Sequence, residues 1–264
     1  MPFDPALLNL QEINTFILSF IRTLSIVVSM PVLGGEQVKM QVKIGLSLLV
    51  SALLFPMVSA HGAVIPPNIF ELMIVIFKEI FIGLAIGFAG QIILGIIQFA
   101  GQIMGFQVGL SMSNVLDPMT NIQVPIIGQF LTIFVVLLFL LANGHHYVFM
   151  GLYESYTLIP LGMLSFGNLG GFAQLVIELA ATIFYVGFKI TGPVFVVVLI
   201  SQSINGILGK MVPQINLLTV GLPVQIFFGL LTLALVIPAL RVVLEGIFSQ
   251  FYRNIFIILR IFAA

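Results

Sequence analysis

Long apolar runs separated by short polar breaks dominate the pattern of the chain. A helix that crosses the hydrocarbon of a bilayer needs about 20 consecutive, mostly apolar residues. Six stretches come close to this length or exceed it: residues 13–32, 44–60, 69–100, 125–142, 175–208 and 217–240. The pattern therefore predicts about six long hydrophobic helices and an all-α membrane protein.

The third and fifth of these segments are too long for a straight crossing, which favours tilted, bent or re-entrant helices. The fifth segment contains the pair Gly192-Pro193, which predicts a break within it. Residues 241–264 alternate apolar pairs with Arg241, Arg253 and Arg260. This spacing predicts an amphipathic C-terminal tail that is separate from the sixth segment.

Composition narrows the class of protein further. Of 264 residues, 60% are apolar and 7% are charged, with 9 Lys+Arg against 9 Asp+Glu, whereas soluble domains carry about 25% charged residues. This excludes a soluble enzyme and a disordered chain, and the absence of a basic cluster argues against a nucleic-acid partner. The chain has no cysteine, so disulfides and thiolate metal sites are excluded.

The few charges do not fit a standard bundle of six spans. Lys39, Lys43 and Lys210 place the first and fifth loops on the cytoplasmic side by the positive-inside rule. Six full crossings would then leave the tail outside, although it holds three of the nine basic residues. We expect a single compact helical domain over residues 1–264 in which at least one segment is not a simple span.

A glycine-rich stretch runs from residue 83 to residue 109. Two sets of glycines recur every four residues, which places them on one face of a helix: Gly83 and Gly87, then Gly101, Gly105 and Gly109. Glycine on such a face lets a second helix approach backbone to backbone. The stretch predicts either ordinary close helix packing or a helix pair that lines a conduit.

The segment that follows, at about residues 106–123, mixes polar and flexible apolar side chains. Irregular backbone in a membrane protein is tolerated where protein buries it or water reaches it. A reversible hydrophobic plug and a plain extramembrane turn both fit this composition. The candidate plug or gate residues are Phe106, Leu110, Met112, Leu116, Asp117, Pro118 and Met119.

Other candidate sites are weaker. His145 and His146 follow the fourth segment, but adjacent histidines diverge on a helix and no third ligand has supporting spacing, which favours a cap and turn over a metal site. Arg22 and Lys189 lie within apolar segments, and we interpret both as buried hydrogen-bond donors to helix C-termini or partner subunits. No catalytic, cofactor or metal motif occurs, so we expect a protein that is not an enzyme and has no cofactor.

A series of short motifs along nearly the whole chain resembles the FliR family of flagellar biosynthesis proteins, which has a counterpart in type III secretion injectisomes. Gln102 departs from the family pattern, which often has Glu there. The motifs are, in order, Arg22 with Pro31, VKIGL at 42–46, GQIMGFQVG at 101–109, Asp117-Pro118, QVP at 123–125, NGHH at 143–146, Ser155 with Pro160, Gly192-Pro193, PQIN at 213–216 and VGLP at 220–223.

The resemblance implies a subunit of a protein export gate in the bacterial inner membrane, at the flagellar basal body. It implies bent helical hairpins, FliP-type and FliQ-type membrane partners, other membrane components of the export apparatus and unfolded export substrates. It also implies that a loop at about residues 106–123 plugs the closed channel. Three alternatives are an injectisome gate subunit, a secondary transporter with a midplane site near Gly192-Pro193, and an inert assembly factor.

Overall fold

The computed structural model describes residues 10–35, 37–60, 66, 68–110, 126–212 and 217–263. These residues form α-helices joined by short connections, and no strand occurs among them. The helices are α1 (Leu10–Ser29), α2 (Met40–Ala60), α3 (Ile69–Val108), α4 (Ile126–Leu141), α5 (Gly144–Leu158), α6 (Leu169–Met211) and α7 (Leu217–Ala263).

Five of these helices, α1, α2, α3, α6 and α7, are long and apolar enough to cross a membrane. The pair α4–α5 reaches that length together, with a bend of 64° at its break, and brings the number to six if it is counted as one span. The predicted all-α membrane fold with about six long hydrophobic segments is therefore confirmed.

The break predicted at Gly192-Pro193 is wrong. Helix α6 continues through Pro193 for 43 residues in total. A proline inside a helix removes one backbone hydrogen bond and can bend the axis. The long apolar stretches on both sides keep the chain helical, because a helix satisfies its remaining backbone groups internally in an apolar setting.

The predicted boundary between the sixth segment and the tail is also wrong. Helix α7 runs for 47 residues across position 241 and includes Pro223 and Pro238. The backbone hydrogen bonds of a helix do not depend on which of its faces carry polar side chains. The change from a uniformly apolar to an amphipathic pattern near position 241 therefore indicates different neighbours around the helix and does not indicate its end.

Helix α5 was not among the predicted hydrophobic segments. It begins after Asn143, whose backbone is left-handed with a φ of 56°, and contains His145, His146 and Glu154. These polar residues interrupt the apolar run without stopping the helix. The predicted cap and turn is thus limited to Asn143, and both histidines lie in the first turn of α5.

The described residues divide into two compact units. The first consists of those in Met1–Ile92, Asn143–Glu178 and Phe248–Ala264, and the second of those in Ile93–Ala142 and Leu179–Ile247. Three helices, α3, α6 and α7, contribute residues to both units. The single domain over residues 1–264 stays a prediction.

Each unit has an aromatic cluster between its helices, and the rings of Phe184 and Phe188 in the second cluster are more than half exposed. In the first unit, the ring of Phe81 lies 5.5 Å from that of Phe262 and 5.6 Å from that of Phe166. In the second, the ring of Phe99 lies 5.0 Å from that of Phe184 and 5.4 Å from that of Phe188. These edge-to-face contacts add to the burial of apolar area and hold helices that are distant in sequence.

Candidate functional site: a buried ion pair and a glycine-rich helix

A buried ion pair lies within the first unit, where α1 meets α3. The Nε of Arg22 donates to Oε2 of Glu79 at 2.5 Å, and both side chains are fully buried. A charge in such surroundings is costly unless it is paired and hydrogen-bonded. The two charges therefore compensate each other.

The same pair binds the end of α5 and the turn after it. Nη1 of Arg22 donates to the carbonyl oxygens of Ser155 at 3.0 Å and Ile159 at 2.9 Å. Oε1 of Glu79 accepts the backbone N–H of Gly162 at 2.9 Å. The last carbonyls of a helix carry partial negative charge, so a guanidinium there is favoured. The pair thus joins α1, α3 and the end of α5.

Tyr156 on α5 extends this network towards the start of α1. Its hydroxyl donates to the backbone oxygen of Ser19 at 2.9 Å and lies 3.2 Å from Oγ1 of Thr23. Its ring lies 4.7 Å from the guanidinium carbon of Arg22, a cation–π contact. We call the side chains of Ser19, Arg22, Thr23, Glu79 and Tyr156 the polar core.

Of the polar core, the sequence pattern predicted Arg22 as a buried site, and it did not predict Glu79 as the partner of Arg22. A usable signal was present, because Thr15, Ser19, Arg22 and Thr23 recur at helical spacing and share one face of α1. A buried arginine on such a face requires an acidic side chain from a neighbouring helix, because an unpaired buried charge is costly. Glu79 supplies it.

The other predicted buried charge, Lys189, is exposed, so its expected burial within this chain is wrong. It lies on a face of α6 that also exposes Tyr185 and Phe188. A long ammonium side chain remains solvated wherever no other helix of the chain covers it. Its burial against a partner subunit stays a prediction.

The glycines of the first half of α3 lie against α1 and the turn that follows it. A Cβ added at Gly83 would lie 2.5 Å from Cβ of Ser25 and 2.9 Å from the carbonyl oxygen of Arg22. A Cβ at Gly87 would overlap the side chain of Ser29. Any larger residue at these two positions would separate the helices that form the polar core.

Gly101 and Gly105 lie near the end of α3, in the second unit. The predicted place of Gly109 on the same helical face is wrong, because α3 ends at Val108. A Cβ at Gly101 would overlap the Cα of Gly128 on α4, so the two backbones are in direct contact. Gly105 is buried. Gly109 has a φ of +91°, a conformation that favours glycine, and a Cβ there would lie 2.7 Å from Cδ1 of Leu222 on α7.

The α3 end of the predicted plug segment is anchored to α7. The side-chain amide of Gln225 donates to the carbonyl oxygen of Gln107 at 2.5 Å. Phe106 is 71% exposed and Leu110 is half-buried. Met112, Leu116, Asp117, Pro118 and Met119 lie outside the described residues, so the plug stays a prediction.

The histidine pair has no metal-binding geometry around it. The two rings of His145 and His146 lie 4.3 Å apart. Across the part of the chain that the structure describes, no three His, Asp or Glu side chains group so that they could hold a metal ion.

Comparison with known proteins agrees with the motif series. The family model described as "Bacterial export proteins, family 1" matches residues 13–251. The Flagellar biosynthetic protein FliR of Bacillus subtilis (strain 168) is 30% identical over 239 residues, which cover 89% of this chain and 90% of that protein.

The chain belongs to the FliR family of bacterial export proteins. The resemblance stated from the motifs is therefore confirmed. Two further relatives carry the name Flagellar biosynthetic protein FliR: that of Escherichia coli (strain K12), 26% identical over 92% of each chain, and that of Aquifex aeolicus (strain VF5), 24% identical over 90% of this chain and 91% of its own.

This FliR-family chain exposes apolar side chains along both of its longest helices. Within the apolar windows of α6 and α7, 28% and 17% of the residues are buried inside the chain. The most exposed large side chains there include Ile177, Tyr185, Met211, Phe227, Leu235 and Val242. Apolar area of this extent requires lipid or other protein subunits to cover it.

Proposed function

We propose that this chain is a subunit of the flagellar protein export gate in the bacterial inner membrane. It packs with FliP-type and FliQ-type membrane subunits to form and seal a channel through which unfolded export substrates cross the membrane. Its work is packing, sealing and gating. It performs no catalysis of its own and needs no cofactor.

The observation that carries this proposal is the uncovered apolar surface of α6 and α7 in a chain whose relatives are flagellar proteins. Helices that the chain covers so little are suited to burial against further membrane helices. We assign the exposed apolar surface of α6 and α7 to contacts with partner subunits. That assignment also removes the conflict with the positive-inside rule, since the helices need not all be simple spans.

The contacts at the end of α3 support the sealing role. The backbone contact of Gly101 with Gly128 and the bond from Gln225 to Gln107 fix the α3 end of the proposed plug segment. A plug needs a rigid base and a deformable tip. Methionine and leucine side chains at the tip can fill an irregular hole reversibly.

Co-purification tests the proposed assembly. The tagged chain, produced with the FliP-type and FliQ-type proteins of the same bacterium, is expected to purify with both in one complex. Leu235→Gln, at a side chain that is 72% exposed, should reduce this recovery. Lys210→Gln, at an exposed residue in the last turn of α6, is the control and should leave it unchanged.

Export in cells tests the function separately. Deleting the gene for this chain should stop secretion of flagellar filament protein, and the wild-type gene should restore it. Normal flagellar secretion with loss of another secreted set would favour an injectisome subunit. Purification as a self-sufficient unit that binds a small solute would favour a secondary transporter, although the continuous α6 removes the broken helix on which that alternative rested.

A further inference from the structure

The C-terminal part of α7 carries an arginine pair that the proposed function does not use. Arg253 and Arg260 are both exposed and lie seven residues apart. Two turns of helix separate them by about 10 Å along the axis and keep them on one face. Their side chains therefore leave the same face of α7, from backbone positions about 10 Å apart.

Between them lies an open, shallow cleft of about 380 Å³ on the surface of α7, lined by Arg253, Arg260, Tyr252, Phe256 and Ile257. The rings of Tyr252 and Phe256 pack at 4.8 Å, and the ring of Tyr252 lies 5.0 Å from that of Tyr147 on α5. The floor of the cleft is therefore apolar and held by α5. Its two ends are cationic.

Among the residues that the structure describes, no acidic side chain forms an ion pair with either arginine. Glu245, which is the last acidic residue in the sequence, pairs with Arg241 at 3.0 Å. On α5, which packs against α7 where Gly151 meets Ile255, the carboxylate of Glu154 accepts the hydroxyl of Thr157 at 3.2 Å.

We propose that this cleft binds an anionic phospholipid. The phosphate lies between the two guanidiniums, which bind phosphate through paired N–H donors, and an acyl chain runs along Phe256 and Ile257. The charge of the pair complements an anionic headgroup, and the apolar floor distinguishes a lipid from free phosphate. Aromatic and basic residues together are typical of the membrane interface. This site goes beyond the proposed function, which assigns no role to a bound lipid.

Native mass spectrometry of the full-length chain, in detergent with added phosphatidylglycerol, measures binding directly. Each basic residue near an anionic lipid contributes about fivefold, so Arg253→Gln with Arg260→Gln should weaken binding by about thirtyfold. Arg241→Gln removes one positive charge from a paired site on the same helix and should change affinity less than twofold, whereas Arg253→Gln or Arg260→Gln alone should each cost about fivefold. Lysine at both positions keeps the charge but loses the paired N–H donors, so its affinity should lie between those of the wild type and the double glutamine variant.

Three results would overturn the lipid site. Equal binding of phosphatidylcholine and phosphatidylglycerol would exclude recognition of an anionic headgroup. Soluble glycerophosphoglycerol binding as tightly as the lipid would assign the cleft to a free phosphate compound. Loss of phosphatidylglycerol binding once the chain is assembled with its partners would assign the arginine pair to an acidic protein surface.

Discussion

Arg22 and Glu79 form a fully buried ion pair although 57 residues separate them in the chain. Burying two charges costs several kcal/mol for each ion, and their attraction offsets this only when both are present and hydrogen-bonded. The pair therefore fixes the register of α1 against α3 without necessarily adding to the net stability of the fold. The five-residue polar core is the most specific tertiary feature of the first unit.

Removing one partner of this pair should destabilise the chain strongly. Glu79→Gln leaves the guanidinium of Arg22 buried without a counter-charge, at an expected cost of about 3–5 kcal/mol. Denaturant unfolding of the full chain in detergent measures it. Glu245→Gln, which breaks the exposed pair with Arg241, is the control and should cost less than about 1 kcal/mol.

The double variant Arg22→Met with Glu79→Leu tests the same explanation from the other direction. It removes both charges together and leaves apolar side chains that fill much of the space. Stability should return most of the way to that of the wild type. A double variant as unstable as Glu79→Gln would mean that packing and the lost bonds to the backbone, rather than the unpaired charge, dominate the loss.

The hydroxyl of Tyr156 should matter less than the ion pair. Tyr156→Phe removes the bond to the carbonyl oxygen of Ser19 but keeps the ring beside Arg22. The expected loss is about 1 kcal/mol, the usual net value of one hydrogen bond. Tyr156→Leu removes the ring as well and should cost more. Equal losses in the two variants, measured by the same unfolding assay, would exclude a contribution from the cation–π contact.

The backbone contact between α3 and α4 should not accept a methyl group. Gly101→Ala places a Cβ on the Cα of Gly128, so the helices must separate, at an expected cost of about 1–3 kcal/mol. Thermal unfolding and the yield of the assembled complex both report it. Gly192→Ala is the matched control, since nothing lies within 4 Å of the added Cβ, and it should be neutral or stabilising by up to about 1 kcal/mol.

The proposed plug predicts a leak when its apolar side chains are removed. Replacing Met112, Leu116 and Met119 with serine, or deleting residues 109–120, should raise the ion conductance of the complex with FliP-type and FliQ-type partners in a planar bilayer. Ser111→Ala with Ser113→Ala leaves the apolar side chains in place and should not leak. Conductance that stays at the wild-type value in the serine variant would reject the plug.

The sequence predicted the positions of the helices well wherever a long apolar run alone determines them. Residues 13–32, 44–60 and 125–142 correspond to α1, α2 and α4 within a few residues at most ends. It missed α5, because polar residues such as His145 and Glu154 interrupt the apolar run although they are compatible with a helix. It also divided α7 in two, because the change of pattern near position 241 reflects its surroundings rather than its backbone.

The residues of the candidate site were predicted only in part, because a pattern along one helix does not show which helix packs against it. The glycine spacing on α3 indicated close approach, but the identity of the approaching helix depends on long-range packing. Gly83 meets α1, whereas Gly101 meets α4. Arg22 was recognised as a charge in need of a partner, and Lys189 was given the same role although α6 presents it outward. Spacing along one helix does not reveal which face its neighbours cover.

The sequence by itself determined that this protein is helical, embedded in a membrane and a member of the FliR family. These properties follow from apolar length, scarce charge and ordered motifs, all of which can be read along the chain. Only the tertiary structure decided that Glu79 neutralises Arg22, that Tyr156 binds Ser19, and that Gly101 contacts Gly128. A buried charge requires a counter-charge, and a glycine on a helix face allows another backbone to approach. Which residue provides the counter-charge or the backbone depends on the packing of helices that are distant in the chain.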